Sequence, residues 1–280
     1  MVANPNINTV VPGCAALEVK QVFNESTVTS AFATSPMKLL TPRSRGQSVC
    51  VCSSGFGGGL VAGDQTRLDL ALGSGTNCFI GTQASTKVYR NPSLHPCGHV
   101  TNARLENGAL LVFAPDPIQA FSQSTYTQTQ TFRLAPDAGL VLVDWLVCGR
   151  TACGERWAFA RFSSRNEVYI TDQLVFLDAL LLDPLDGDLV GSCRGGRFNC
   201  FALLALLGAP LREIAADAVE TISTQPLERR GATVCSASPH AYGAVLRIAS
   251  ESTEAAARKL QSYLALLTPL LGDDPWARKW

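Results

Sequence analysis

Three turn motifs recur at similar spacing in the middle of the chain, and this repeat constrains the fold more than any other feature of the sequence. Each turn follows a leucine that closes one strand and precedes a hydrophobic strand, so the same unit returns about every 30 residues. Such units bury their apolar faces only by stacking, which favours two layers of sheet around one core. We therefore predict a mainly β, two-layer body of stacked β-hairpins with a solenoid-like arrangement. The turns are Gly73-Ser74-Gly75, Glu106-Asn107-Gly108 and Pro136-Asp137-Ala138-Gly139, the leucines are Leu72, Leu105 and Leu134, and the strands cover residues 76–82, 109–114 and 140–147.

Side-chain alternation predicts two further strands in this body. Leu68, Leu70 and Leu72 alternate with polar or small residues. Residues 125–134 are a run of Thr, Tyr, Gln and Phe that is typical of a half-exposed strand. No segment of helical periodicity separates the strands, which argues against a doubly wound parallel sheet.

The last third of the chain has a different pattern, in which helical and strand-like segments alternate. We predict a β-rich body over residues 1–190 and a smaller α+β portion over residues 191–280. This portion carries about two helices and packs on the body as one structural unit. The predicted helices cover residues 210–222 and 254–271, the predicted strands cover 232–238 and 241–250, and residues 198–207 fit either a strand or a helix.

The charge balance excludes some classes of partner. Lys+Arg and Asp+Glu number 23 each, so no net field attracts nucleic acid or an anionic membrane. The longest apolar run, residues 201–207, is too short to span a bilayer. Residues 1–12 are polar and predict no secretory signal, and the ten scattered cysteines are typical of free thiols in a reducing compartment. These features favour a cytoplasmic protein whose low charge content, 16%, suits surfaces covered by other proteins.

The sequence contains no pattern typical of a catalytic centre. The three histidines, His95, His99 and His240, lie outside any recognisable nucleophile motif. The glycine-rich segment 57–63 lacks the Gly-Lys-Ser/Thr ending that would bind a nucleotide phosphate. We therefore expect a protein that is not an enzyme.

Two kinds of site could bind a metal ion. His95, Cys97 and His99 alternate, so an extended segment would place them on one side, although Pro96 and Gly98 also fit an ordinary loop. A metal-storing or metal-sensing role would require these three side chains to be close together.

Carboxylates in apolar strands are the second candidate. Asp144 shares a face with Leu140 and Leu142, and Asp178 lies within the apolar run 174–182. A buried carboxylate requires a partner, a proton or a wet cavity. Two interpretations stay open. The carboxylates could form ion pairs with basic residues, or they could line a water-filled passage in which hard oxygen ligands hold a divalent cation weakly. The basic residues available for such ion pairs are Arg150, Arg156 and Lys87.

Two motifs carry a resemblance to a known family. Residues 57–64 (GGGLVAGD) and 82–90 (TQASTKVYR), followed by PDP at 115–117, VDW at 143–145, GR at 149–150 and GE at 154–155, resemble the urease accessory protein D family. The wording of the motifs is similar to that of plant-type members. The motif residues are Gly58, Gly59, Gly63, Thr82, Gln83, Lys87, Tyr89, Pro115, Asp116, Pro117, Gly149, Arg150 and Gly154.

The resemblance implies a function in nickel insertion into apo-urease, as a metallochaperone or scaffold. Members act in a complex with urease accessory proteins F and G, of which G is a GTPase. Nickel(II) would be transient cargo, and no tightly bound cofactor is implied. The alternative is a scaffold that bridges urease and the other accessory proteins without contacting metal. The candidates for a metal route are Asp64, Thr86, Asp144, Asp178 and Glu155.

Overall fold

The computed structural model describes residues 11–43, 45–93, 95–226, 228 and 230–278. The absence of a secretory signal was predicted from residues 1–12, of which residues 1–10 lie outside the described ranges. The described strands are β1 (Cys14–Val22), β2 (Glu25–Ala33), β3 (Met37–Leu40), β4 (Val49–Gly55), β5 (Gly59–Leu60), β6 (Gln65–Leu72), β7 (Asn77–Thr82), β8 (Thr86–Val88), β9 (Cys97–Leu105), β10 (Leu110–Phe113), β11 (Ile118–Ala120), β12 (Thr125–Leu134), β13 (Gly139–Val147), β14 (Arg161–Ile170), β15 (Gln173–Leu182), β16 (Cys200–Gly208), β17 (Thr233–His240) and β18 (Gly243–Ser250). The helices are α1 (Arg212–Ser223), α2 (Thr253–Leu264) and α3 (Thr268–Leu271).

The strands form two sheets. Sheet A has seven strands in the order β15-β14-β12-β9-β6-β1-β2. Sheet B has eleven strands, and its main path runs β17-β18-β16-β13-β10-β7-β4-β3. Strands β6, β9, β12 and β14 pair in parallel in sheet A, and β4, β7, β10 and β13 pair in parallel in sheet B. The chain thus winds through one coil per repeat, which confirms the predicted mainly β, two-layer, solenoid-like fold.

The hairpin part of that prediction was wrong. The two strands on either side of each turn, such as β6 and β7, lie in different sheets and do not pair with each other. Each strand pairs instead with its equivalent in the next coil, because the repeat places identical strands one coil apart. The turns therefore connect the two sheets, with both apolar faces directed into one core.

The leucines of the repeat stack from coil to coil inside this core. Leu72 aligns with Leu105 and Leu105 with Leu134, and all three are buried. Sheet B covers them with buried residues of β7, β10 and β13. Burial of stacked branched side chains is the main stabilising contribution to a solenoid, because each coil contacts only its neighbours.

The C-terminal strands extend sheet B. The segment 198–207 fits either a strand or a helix by sequence. From residue 200 onward it forms β16, which pairs antiparallel with β13. Strands β18 and β17 continue the sheet, as the predicted strand pair. Helices α1 and α2 cover its outer face, and the hydroxyl of Ser252 caps α2 by accepting from the amide of Ala255. No helix within the described ranges is long and apolar enough to cross a membrane.

Candidate functional site

The interior of the sandwich contains a band of polar side chains that crosses the coils. Parallel pairing aligns two rows of them on the inward face of sheet A. All lie between the two sheets, and most are almost completely buried. We call these seven residues the polar band. The first row is Thr66, His99, Gln128 and Ser164, and the second row is Thr101, Gln130 and Asn166.

Apolar side chains of the same strands flank the polar band on both sides. On one side lie Cys97, Tyr126 and Phe162. On the other side lies a set that we call the apolar layer. The band therefore runs along the solenoid axis, from coil to coil, between two sets of apolar side chains. The apolar layer consists of Ala103, Phe132, Val168, Leu105, Leu134 and Ile170.

Hydrogen bonds connect the members of the band. The amide of Gln130 donates to Oδ1 of Asn166 at 2.8 Å, and that of Gln128 donates to the hydroxyl of Ser164 at 3.0 Å. The ring nitrogens of His99 lie 2.8 Å from Oγ1 of Thr66 and 3.0 Å from Oγ1 of Thr101. Burial lowers the pKa of His99 to about 4, so this imidazole is neutral at physiological pH.

Asp144 on β13 faces the polar band from sheet B. Its Oδ1 accepts from Gln128 at 3.1 Å, and its Oδ2 accepts from Ser164 at 2.6 Å and Asn166 at 2.8 Å. Burial raises the pKa of this carboxyl, the three hydrogen bonds oppose that shift, and the charge of Asp178 adds to it. No lysine or arginine of the described ranges forms an ion pair with Asp144.

The ion-pair interpretation of Asp144 is therefore wrong for this residue. Arg150 pairs with Glu155, Arg156 donates to Oδ1 of Asn199 and to backbone carbonyls, and Lys87 is exposed. Both arginines are bound to local partners and Lys87 faces solvent, so Asp144 is held by neutral donors alone.

Two cavities share Asp144 as a lining residue. The first, of about 300 Å³, extends towards the glycine-rich loop, and we call it the glycine-loop cavity. The second, of about 680 Å³, lies between β15 and strands β16 and β18, and we call it the edge-strand cavity. Asp144 and Trp145 line both. The glycine-loop cavity also contains Thr86, His99 and Asp116, and the edge-strand cavity also contains Asp178 and Arg247.

Asp178 lies in a different environment from the one predicted. The run 174–182 was expected to be apolar on both faces, but β15 is the edge strand of sheet A, and Leu174, Leu177 and Leu181 are 43–49% exposed. The carboxylate of Asp178 points into the edge-strand cavity and accepts from Arg247 Nη2 at 2.9 Å. The ion-pair interpretation therefore holds for Asp178, with an arginine that the sequence did not indicate.

The other three candidates for the metal route lie in different parts of the structure. Thr86 lines the glycine-loop cavity together with Asp144. Asp64 lines neither cavity, and its Oδ2 accepts from the amide of Val61 at 2.9 Å, which closes the glycine loop. Glu155 also lies outside both cavities, where it binds Arg150 and accepts from the amide of Ser122.

The predicted grouping of His95, Cys97 and His99 is wrong. His95 is exposed in a loop, whereas Cys97 and His99 point inward at the start of β9. Burial raises the pKa of Cys97, whose thiol lies 2.9 Å from the carbonyl of Val61. Within the described ranges, no three His, Cys, Asp or Glu side chains come together as a metal cluster. All ten cysteines are free thiols.

Six of the thirteen motif residues line the glycine-loop cavity, and four others lie in the same loops and strands. Gly59 pairs with Lys87, and a Cβ at Gly59 would lie 2.5 Å from the Lys87 carbonyl, so only glycine permits this approach. The hydroxyl of Thr82 donates to Asp116 at 3.0 Å and accepts from its amide at 2.7 Å. Further contacts fix the surrounding loops. Tyr89 donates to the Gly57 carbonyl beside Gly58, Gln83 accepts from Ser54, Gly63 donates to the His95 carbonyl, Pro115 accepts from Trp145, and Pro117 accepts from the Thr86 amide.

A second group of motif residues shapes the turn after β13. Gly149 and Gly154 have φ values of 109° and 76°, which are left-handed conformations that glycine adopts readily. Arg150 stacks over Phe121, with its Cζ 4.4 Å from the ring centroid, while it binds Glu155. This group lines neither cavity and supports the turn.

The polar band was not predicted from the sequence. Residues 125–134 have a composition typical of a half-exposed strand, and this composition alone does not show that Gln128 and Gln130 face inward. One signal could have identified them. They share a face with Tyr126 and Phe132, and aromatic residues on both sides indicate an inward face. Ser164 and Asn166 have the same relation to Phe162 and Val168.

Comparison with known proteins shows the family. The model of the UreD urease accessory protein family matches residues 11–280. The chain is 45% identical over 269 residues to urease accessory protein UreD of Sorangium cellulosum, covering 96% of this chain and 84% of the relative. It is 35% identical over 288 residues to urease accessory protein D of Arabidopsis thaliana, covering 92% of this chain and 98% of the relative. The chain therefore belongs to the UreD urease accessory protein family.

Proposed function

We propose that this protein inserts nickel into apo-urease, in a complex with urease accessory proteins F and G, by giving the ion a carboxylate-lined path through its interior. The observation that carries the proposal is Asp144, an interior carboxylate without a cationic partner that lines both cavities. The protein would act in the cytoplasm without catalysing a reaction itself, and the GTPase among its partners would supply the energy-consuming step.

The ligand chemistry of the polar band suits transient binding. Hydroxyl, amide and carboxylate oxygens are hard donors that bind nickel(II) less firmly than thiolates or several imidazoles. Asp144 supplies the charge, and Gln128, Ser164 and Asn166 can turn their oxygens towards a cation once it has replaced their hydrogen bonds to the carboxylate. A transport path requires such weak sites, because the ion must leave each of them.

The two cavities give the proposed path two ends. At one end, the motif residues around Thr86 and Asp116 surround the glycine-loop cavity. At the other end, Asp178 lies on the edge strand β15. An ion that entered at either end would meet one carboxylate near the surface and Asp144 in the interior. In this scheme Thr86, Asp144 and Asp178 remain route residues, whereas Asp64 and Glu155 shape loops.

A scaffold without metal contact is the competing function, favoured by the ion pair of Asp178 with Arg247. The test is activation of apo-urease in a reconstituted system with the partner proteins and a chain that carries both Asp144→Asn and Asp178→Asn. These changes remove charge and keep shape. Complex formation is followed by size-exclusion chromatography, and urease is assayed for bound nickel.

We expect the double variant to form the complex and to leave urease with much less nickel. The control is Asp69→Asn, which removes an exposed carboxylate from the outward face of β6, where Asp69 binds Arg67. Normal nickel loading by the double variant would overturn the metal path and leave a scaffold. Loss of the complex in the double variant, with the control intact, would assign the two carboxylates to folding or assembly.

A further inference from the structure

Arg247 holds the carboxylate at the outer end of the edge-strand cavity. It lies on β18 of sheet B, and its Nη2 reaches across to Oδ1 of Asp178 on β15 of sheet A at 2.9 Å. The Arg247 side chain is 58% exposed and the Asp178 side chain 22% exposed, so the pair lies at the boundary between cavity and solvent. An ion pair of this exposure opens easily, because water screens it.

The other charges of this cavity do not share that position. Arg194 also lines the cavity, but its guanidinium donates to the backbone carbonyls of Asp183 and Asp186. Asp144 lies further inside and accepts from neutral groups. Asp186 is the third carboxylate residue of the lining, and its backbone carbonyl accepts from Arg194. Arg247 is therefore the basic side chain that, among the described lining residues, binds a carboxylate of the cavity directly.

This inference rests on the proposed function. We propose that Arg247 determines the charge selectivity of the path, by acting as a tethered cation at Asp178 that a divalent ion displaces and a monovalent ion does not.

The physical reason is a competition between cations. A tethered group has an effective concentration in the millimolar range or above at its partner. A potassium or sodium ion brings one charge, which is no more than the guanidinium already provides, and it cannot donate a hydrogen bond as Arg247 does to Asp178. A divalent ion interacts twice as strongly with each carboxylate at a given distance, and it can be attracted by Asp178 and Asp144 together.

Selectivity of this kind is needed in any carboxylate-lined path, because monovalent ions are present at about 0.15 M ionic strength. Without the guanidinium, an exposed carboxylate at the entrance would attract these ions continually. With it, the entrance is neutral until a divalent ion arrives. Arg247 would then swing into solvent, where more than half of its side chain already lies.

The test is equilibrium dialysis of the full chain against Ni²⁺, with and without about 0.15 M KCl. The key variant is Arg247→Gln. The matched control is Arg165→Gln, which removes an arginine of similar exposure from an ion pair with Glu167 on the outward face of β14, away from both cavities. A third variant combines Arg247→Gln with Asp178→Asn, and circular dichroism checks that each variant is folded.

Without KCl, we expect Arg247→Gln to bind Ni²⁺ about three- to fivefold more tightly than the unsubstituted chain, which is the size of one partly exposed ion pair. KCl should weaken binding more in this variant than in the unsubstituted chain, because K⁺ then competes for Asp178. The combined variant should lose the gain, and the control should behave like the unsubstituted chain.

Unchanged Ni²⁺ affinity in a folded Arg247→Gln chain would overturn the inference, and so would a gain that persists without Asp178. Absence of Ni²⁺ binding in every chain would overturn it as well. These outcomes are separate from failure of the proposed function, which is measured by the nickel loaded into urease. If Asp144→Asn/Asp178→Asn abolishes loading while Arg247→Gln leaves Ni²⁺ affinity unchanged, the path stands and the selectivity role falls.

Discussion

The polar band and the apolar layer lie on the same strands of one sandwich, yet they follow opposite rules of packing. On β12, Gln128 and Gln130 belong to the band, and Phe132 and Leu134, two and four residues after Gln130, belong to the layer. The layer stabilises the fold by burying hydrocarbon. The band buries amides, hydroxyls and an imidazole, and it faces the carboxylate of Asp144 on sheet B. Each of these groups costs free energy unless it is hydrogen-bonded, and apolar residues of similar size would often be as stable or more so. Burial of hydrocarbon therefore accounts for the layer, but it does not account for the band.

If the apolar layer stabilises the fold, removal of one of its large side chains should lower the free energy of unfolding strongly. Phe132 is fully buried and stacks edge-on against Phe113 of sheet B, with ring centroids 5.7 Å apart. We expect Phe132→Ala to lower the free energy of unfolding by about 3–5 kcal/mol, through lost transfer energy and an unfilled cavity. Urea unfolding measures it. Thr131→Ala, next to it on the opposite face of β12, should change stability by less than about 0.5 kcal/mol. Equal effects of the two changes would contradict the assigned core.

The pH dependence of stability tests whether His99 is buried in the polar band. Its pKa is lowered from 6.5 to about 4, so the folded state keeps the imidazole neutral while the unfolded state takes up a proton. The stability contribution is complete above about pH 6.5 and is lost as pH falls towards 4. Relative to His99→Gln, the unsubstituted chain should lose about 2 kcal/mol between pH 7.5 and 4.5. Urea midpoints across this range give the difference, and a constant difference would show that His99 is solvated.

Asp144 has the opposite pH dependence. Its pKa is raised by burial, so ionisation is easier in the unfolded state, and stability falls as pH rises from the unfolded pKa through the folded one. Above the pKa of an unfolded Asp, the stability of Asp144→Asn should therefore improve relative to the unsubstituted chain as pH increases. The hydrogen bonds from Gln128, Ser164 and Asn166 oppose this change, because they stabilise the charged carboxylate against desolvation. A difference that shrinks with rising pH would show that a cation partner holds this carboxylate.

The sequence predicts features that depend on neighbouring residues, and it does not predict contacts between residues that are distant in the chain. The leucines at 72, 105 and 134 and the turns after them predicted the repeating strands and their shared core, because alternation and turn chemistry are local. Alternation also placed Asp144 inward. It could not show which sheet a strand joins, and so the parallel pairing of β6 with β9 was missed. The partner of Asp178 lies 69 residues away on β18, and nothing near either residue in the chain indicates that contact. Whether an inward face is dry or polar depends likewise on what the opposite sheet presents.

The smallest effect on stability is expected for Asp178, at the outer end of the proposed path. A change there should hardly affect folding and should still affect nickel loading. Asp178 binds Arg247 at the edge of the sandwich, and exposed pairs of this kind contribute at most about 1 kcal/mol. We expect Asp178→Asn to change the free energy of unfolding by less than that amount and to lower nickel loading of urease in the reconstituted system. Glu167→Gln, which breaks the pair with Arg165 on the outward face, should have a similarly small effect on stability and none on loading. If Asp178→Asn lowered stability by several kcal/mol, the pair would be a structural clamp between the two sheets. Asp178 would then belong to the residues that stabilise the fold, and Asp144 would be the last carboxylate of the proposed path at this end.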